Sequence, residues 1–324
     1  MNNMKNEDVV ISSRVRFARN LKDVPFSAKG IESAVVKVKD AIGDKFAQCD
    51  FDAFSDTEKQ SYVEKHIVSR EFMQSKTPHA LFSDKDGVLR IMAGEEDHVR
   101  IQAITRGFSL DEAYNAACEA DDLLSSKLDI AYDEKLGFLT RCPTNLGTGM
   151  RASVMVFLPG LTLAKRIRPL LSQLAKLGIA VRGIYGEGSE AQGCIYQISN
   201  RETLGITEED TIAKISEITS QVITLERKAR EELKDALGDR LIDRVMRSLG
   251  KLKYAHMLSL SEFMECWADI RMGASIGIVK ELDYTSLDTA FAKVMPGTLS
   301  ARSGLEQNEG ALALERAKRV KELI

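Results

Sequence analysis

Residues 9–17 mix β-branched and polar side chains, and that pattern predicts a strand. A second strand is expected at 88–92, just ahead of an acidic run. Further strands are expected at 137–142, 153–158, 179–185 and 194–199. Between them, Ser109-Leu110-Asp111-Glu112 has capping-box spacing and predicts a helix to about residue 128. Residues 161–177 carry an amphipathic helical pattern, with Gly178 placed to end it. The strands follow one another like hairpins, with few crossover helices. The expected class is therefore α+β, a largely antiparallel sheet with flanking helices, rather than a doubly wound sheet.

Beyond residue 207 the pattern turns helical. Thr207-Glu208-Glu209-Asp210 caps a long helix reaching about residue 237. Shorter helices are predicted at 240–249, 259–272, 286–294 and 309–324. The expected division is a sheet-containing part over 1–225 and a smaller all-helical part over 226–324, the long helix being shared. The helices at 259–272 and 309–324 are amphipathic, which suits a homodimer contact.

Composition narrows the function. The chain of 324 residues has 45 Lys and Arg against 48 Asp and Glu, a net charge of −3. A general nucleic-acid binder would carry a positive excess. No apolar run reaches the ~18 residues of a membrane span. Residues 1–8 are polar, so no secretory signal is expected there. Cys49, Cys118, Cys142, Cys194 and Cys266 are scattered and form no C-x-x-C pair, which argues against a disulfide framework or zinc ribbon and fits a reducing cytoplasm.

The chemistry lies in arginines on strands. Arg14 and Arg16, two apart, share one strand face. Arg151 opens a strand directly after the loop Gly147-Thr148-Gly149, and Arg182 sits inside an apolar strand. Such guanidinium groups are costly without an anion, and they bind phosphate oxygens in a planar, bidentate way. Glu95-Glu96-Asp97 forms an acidic cluster with Arg100 three residues on, and Glu187 stands between Gly186 and Gly188. A carboxylate beside a guanidinium can orient it and take its proton. Cys142, before Pro143-Thr144-Asn145, reads equally as a reactive or a structural thiol. His66 sits in a helix-like or loop setting. No Walker loop and no G-x-G-x-x-G opening a helix occurs, which excludes P-loop and ordinary protein-kinase chemistry.

Taken in order, Ser12-Ser13-Arg14-Val15-Arg16, Glu95-Glu96-Asp97-His98-Val99-Arg100, Cys142-Pro143-Thr144-Asn145-Leu146-Gly147-Thr148-Gly149-Met150-Arg151-Ala152 and Arg182-Gly183 resemble the phosphagen (guanidino) kinases. The stretch from Arg182 to Ala191, and Val63-Glu64-Lys65-His66-Ile67, are similar to the branch that phosphorylates arginine in proteins. So is the placement of a helical segment after the arginine motifs instead of before them.

The resemblance implies an ATP-dependent protein arginine kinase with Mg2+ bridging the phosphates. It implies that Glu96 and Glu187 grip the guanidinium, one as base, with Cys142 tuning its position. The nucleotide would be held by Ser12, Ser13, Arg14, Val15, Arg16, His66, Arg100, Arg151, Ala152, Ser153, Val154, Met155, Arg182, Gly183, Ile184, Tyr185, Gly186 and Glu187. It further implies arginine-bearing protein substrates, an activator protein, a Clp-type ATPase as partner, and work in stress response and protein quality control in the cytoplasm. A kinase of free arginine and a silent adaptor for a Clp-type protease are the alternatives. One departure stands out. The branch carries R-D-x-x-R-A near its C-terminus to recognise phosphoarginine. Here Asn308-Glu309-Gly310-Ala311-Leu312-Ala313-Leu314-Glu315-Arg316-Ala317 has no Arg-Asp pair. That implies loss of regulation rather than of catalysis.

Overall fold

The alternation in the first strand sorts its side chains to two different surroundings. Val15 and Phe17 are buried on one face, while Ser12, Arg14 and Arg16 look out from the other. The computed structural model describes residues 6–184, 191–305 and 308–324. In chain order its strands are β1 (Val10–Arg19), β2 (Ala47–Cys49), β3 (Ala80–Ser83), β4 (Leu89–Ala93), β5 (Val99–Arg106), β6 (Tyr132–Asp133), β7 (Gly137–Phe138), β8 (Met150–Phe157), β9 (Ile179–Gly183) and β10 (Ile195–Asn200). Eight of them form one sheet in the order β2-β3-β4-β5-β1-β8-β10-β9. Every neighbouring pair is antiparallel.

The apolar face, with Val15, Phe17, Ile101, Ala103, Ala152, Val154 and Ile198, is covered by α1 (Ala28–Ile42), α4 (Leu110–Ser125) and α7 (Glu208–Leu237). Each such side chain withdrawn from water contributes about 1–3 kcal/mol. The remaining helices are α2 (Asp56–Glu64), α3 (Arg70–Met73), α5 (Pro159–Leu163), α6 (Ile167–Lys176), α8 (Asp239–Tyr254), α9 (Leu260–Ser275), α10 (Tyr284–Val294), α11 (Pro296–Ser303) and α12 (Glu309–Leu323). The helices from α8 onward pack around Trp267 in a core that also takes Phe157 and Ile195 from the sheet.

The antiparallel α+β class and the helical C-terminal part are as expected. Several local readings are corrected. β5 is missing from the expected strands. Of 137–142, only Gly137–Phe138 is a strand. Beyond it, Leu139 O accepts from Asn20 and Arg141 N donates to Asp97, so side chains take the backbone groups that a ladder would need. The capping box at Ser109 does not form, because its hydroxyl bonds back to Thr105 and Arg106 O. The helix expected over 161–177 is two helices, broken where Lys165 adopts φ 58°. The long helix is α7, which ends at Leu237 as expected and contains residue 226. The apolar residues of α9 are buried within the chain, and α12 packs on α8, α10 and α11. Their amphipathic patterns therefore answer to internal packing.

Candidate active site

The polar sheet face is assembled by register. Arg16 stands opposite Gln102 on β5 and Arg151 on β8, and Arg14 opposite Ser153. Gln197 on β10 stands between Met155 and Arg182. Arg14 Nε donates to Ser153 Oγ at 3.3 Å and its Nη2 to Gln197 Oε1 at 3.2 Å. Both partners are neutral. Arg16 Nε is enclosed and has no partner among the described residues.

The cations perturb one another. Burial first, then Arg100 and Arg151, lowers Arg14 to about 10. Burial, then Arg14, Arg100 and Arg151, pushes Arg16 well below the usual guanidinium range, with Glu95 pulling the other way. Arg151 is lowered by burial, then by Arg182. A half-buried cage of like charges with so few anionic answers is short of negative charge, and polyphosphate supplies it.

Two recesses open on this face. Arg16, Glu96, Arg100, Cys142, Asn145 and Arg151 line one. Ser12, Arg14, His66, Ser153, Met155 and Gln197 line the other. Glu96 is exposed, and Cys142 Sγ lies 3.0 Å from Thr144 Oγ1. Gly149 brings the loop after Cys142 hard against β1. Its φ is 63°, and a Cβ there would lie 2.7 Å from Ala18 O. His66 has φ 57° and its carbonyl accepts from Gln102 Nε2 at 2.9 Å. Burial, then Arg14 and Arg16, draws its imidazole down to about 4, so it is neutral near pH 7.

Other expected positions fall elsewhere. Ser13, Val15, Ala152 and Val154 point into the opposite face, so their side chains cannot line the nucleotide site. Ser13 Oγ instead bonds Gly107 O. Period-two alternation turns every second side chain of these strands to the apolar face. Ile184 turns into the helical core, and Gly183 closes β9 opposite Tyr196. Tyr185, Gly186 and Glu187 lie outside the described residues. Arg100 is not an open cation, since its Nη1 lies 2.5 Å from Glu95 Oε1. Ser69 Oγ donates to that same oxygen. Asp97 is buried, accepting from Asn20 Nδ2 and Arg141 N. His98 stacks on Phe26 at 4.4 Å. Two acidic-run neighbours of Glu96 are therefore scaffold. Gln102 and Gln197 were missed, although each stands two residues from another polar residue of its strand, Arg100 and Ser199.

A family model described as the ATP:guanido phosphotransferase C-terminal catalytic domain matches residues 29–229. A second, described as the protein-arginine kinase McsB C-terminal domain, matches residues 238–324. The protein-arginine kinase of Caldanaerobacter subterraneus subsp. tengcongensis is 42% identical over 326 residues, covering 97% of this chain and 96% of the relative. The chain belongs to the protein-arginine kinases, within the ATP:guanido phosphotransferase family.

The protein-arginine kinase of Clostridium acetobutylicum is 37% identical over 329 residues, 98% of this chain and 97% of the relative. Among solved structures, the substrate-free duplicated taurocyamine kinase of Schistosoma mansoni matches with TM-score 0.61 and 25% identity, over 75% of this chain and 38% of that one. Lombricine kinase shares the fold at TM-score 0.59 and 20% identity, over 72% of this chain and 70% of that one. Against this protein-arginine kinase background, the C-terminal departure has a structural form. With Arg316-Ala317 closing the pattern, Leu312 and Ala313 occupy the Arg-Asp positions, and both are buried. Arg316 itself is fully buried and donates to Val294 O and Leu258 O. Apolar packing stands where a phosphoarginine reader would need charge.

Proposed function

We propose that this chain transfers the γ-phosphoryl group of ATP to the guanidinium of arginine side chains in proteins. The observation that carries the reading is Arg16, whose enclosed Nε has no partner among the described residues, in the same recess as the exposed carboxylate of Glu96. Arg14, Arg16, Arg151 and Arg182 would hold the phosphates, and Arg100, already bonded to Glu95, would close the cage beside Glu96. His66, neutral, suits contact with the nucleoside and adds no charge.

Glu96 hydrogen-bonds the incoming guanidinium, turns one nitrogen in line with the γ-phosphorus and takes its proton as the N–P bond forms and the P–O bond to ADP breaks. Glu187 would be the second carboxylate of the grip, and Cys142 would border the guanidinium. Mg2+ would enter with the nucleotide and supply charge neutralisation at the transferred phosphoryl group, beside Arg14, Arg16 and Arg151. Because phosphoryl transfer is loose, positioning and charge stabilisation supply most of the acceleration.

The catalytic part would span 1–225 and the helical part 226–324. Phosphoarginine made here would act in stress response and protein quality control, with an activator protein and a Clp-type ATPase as partners. The free cysteines among the described residues suit a reducing cytoplasm. The test is incubation with Mg-ATP and an arginine-bearing protein, followed by mass spectrometry under conditions that spare N–P bonds. Phosphoarginine is expected, and Glu96→Gln should lower its formation about 10²–10⁴-fold while ATP binding is retained. ADP release driven only by free arginine would replace this reading with the small-guanidine one.

A further inference from the structure

A carboxylate links the helical end of the molecule to the turn that borders the nucleotide recess. α11 begins at Pro296, and its N-cap residue Met295 offers no side-chain acceptor. Its orphan amides are answered by Glu64, the last residue of α2. Gly297 N donates to Glu64 Oε1 at 2.6 Å, and Thr298 N and Oγ1 donate to Oε2 at 2.9 and 3.1 Å. A helix N-terminus favours such an anion. The approach is close enough to demand glycine: a Cβ at Gly297 would lie 2.6 Å from Gln60 Cγ.

Directly after Glu64 the chain turns. Lys65 N donates to Ser61 O, His66 N to Val63 O and Ile67 N to Tyr62 O. From the sheet side, Gln102 Nε2 donates to both His66 O, at 2.9 Å, and Ile67 O, at 3.2 Å. The turn is thus gripped between β5 and α11, and its His66 lines the recess that holds Arg14, Ser153 and Gln197.

We propose that Glu64 is a positioning residue for the nucleotide, which ties the placement of α11 to that of His66 and makes the helical end part of the ATP site. The inference rests on the nucleotide reading of the recess. Its readout is nucleotide affinity, so it is decided separately from whether arginine is the acceptor.

The experiment compares Glu64→Ala, Glu64→Gln and Thr298→Val with the full-length wild type. It measures equilibrium binding of a fluorescent ATP analogue with Mg2+, kcat and KM for ATP, and thermal melting. Val245→Ala, a cavity in the core of α8 away from α11, serves as the stability control. Glu64→Ala should weaken nucleotide binding about five- to ten-fold, with kcat changed less than about two-fold. Glu64→Gln should fall between, since its carbonyl still accepts one amide, and Thr298→Val should show the smallest loss. Val245→Ala should melt earlier with nucleotide affinity unchanged. Unaltered affinity in Glu64→Ala, or an equal loss in Val245→Ala, overturns the proposal. If Glu64→Ala does not fold, unaltered affinity in Thr298→Val and Glu64→Gln overturns it equally.

Discussion

Two groups of arginines in this chain, one buried and one half-buried, differ in what meets them. Arg19, Arg230 and Arg271 are almost wholly enclosed, and each is answered. Arg19 makes a bidentate pair with Asp121, with Nη2 at 2.7 Å. Arg230 pairs with Glu226 and donates to Asp8 O and Phe157 O. Arg271 pairs with Asp288 and donates to Glu7 O and Asp8 O. On the polar sheet face, Arg14 meets only a serine and a glutamine, and Arg16 Nε meets nothing among the described residues. Burial costs a cation several kcal/mol unless partners offset it. Arg230 and Arg271 therefore tie the helices to the start of β1 and the end of β8, Arg19 ties β1 to α4, and the second group waits for an anion. Arg100 stands between the two, placed in the cage yet paired with Glu95.

Substitutions in the two groups should have opposite signatures. The largest effect is expected from Arg271→Met, which removes the donor to Asp288 and to Glu7 O. Asp8 O keeps Arg230 as a donor, so the loss falls on Asp288 and Glu7 O, and it should cost about 3–5 kcal/mol in denaturant unfolding, with nucleotide affinity of the folded fraction unchanged. Selective loss of affinity there would erase the distinction. Arg16→Ala should do the reverse. Turnover should fall about 10²–10³-fold. The melting temperature should hold or rise, because a self-repelled cation is gone. A cooperative loss of stability would place Arg16 with the scaffold.

The smallest effect concerns pH. His66 titrates in the folded chain at about 4, below its ordinary value of 6.5. Between those values the unfolded chain binds a proton that the folded chain refuses, so stability falls as pH drops through that window. At pH 5 the loss should be on the order of 1–2 kcal/mol relative to pH 7. His66→Asn, which tolerates the positive φ, should abolish that part of the pH dependence. Saturating Mg-ATP should shrink it in the wild type, because phosphates offset Arg14 and Arg16. Parallel pH curves for wild type and variant would show that the cage does not govern His66.

Much of the site was legible because its residues lie on short, strongly patterned strands. Arg14 and Arg16 announce a shared face by spacing alone, and Glu96 stands in an acidic run beside a strand. The same run misled at Asp97 and His98. Their roles depend on Asn20, Phe26 and the amide of Arg141, which are remote in sequence. The strand expected at 137–142 failed for a like reason, since its backbone groups are claimed by Asn20 and Asp97. Lys165 broke a helix whose hydrophobic pattern ran on unbroken.

By itself the sequence determined the alternation that makes an antiparallel sheet, the helical C-terminal part, and a chemistry of guanidinium groups, carboxylates and phosphate. Those properties are written in neighbouring residues and survive any arrangement of distant ones. The tertiary structure alone decided which arginines lack a counter-charge, which strand residues face the recess, and that Glu64 joins α11 to the turn bearing His66. A side chain's partners are set by strand register and helix packing across hundreds of residues, and its charge acquires a role only once those partners are in place.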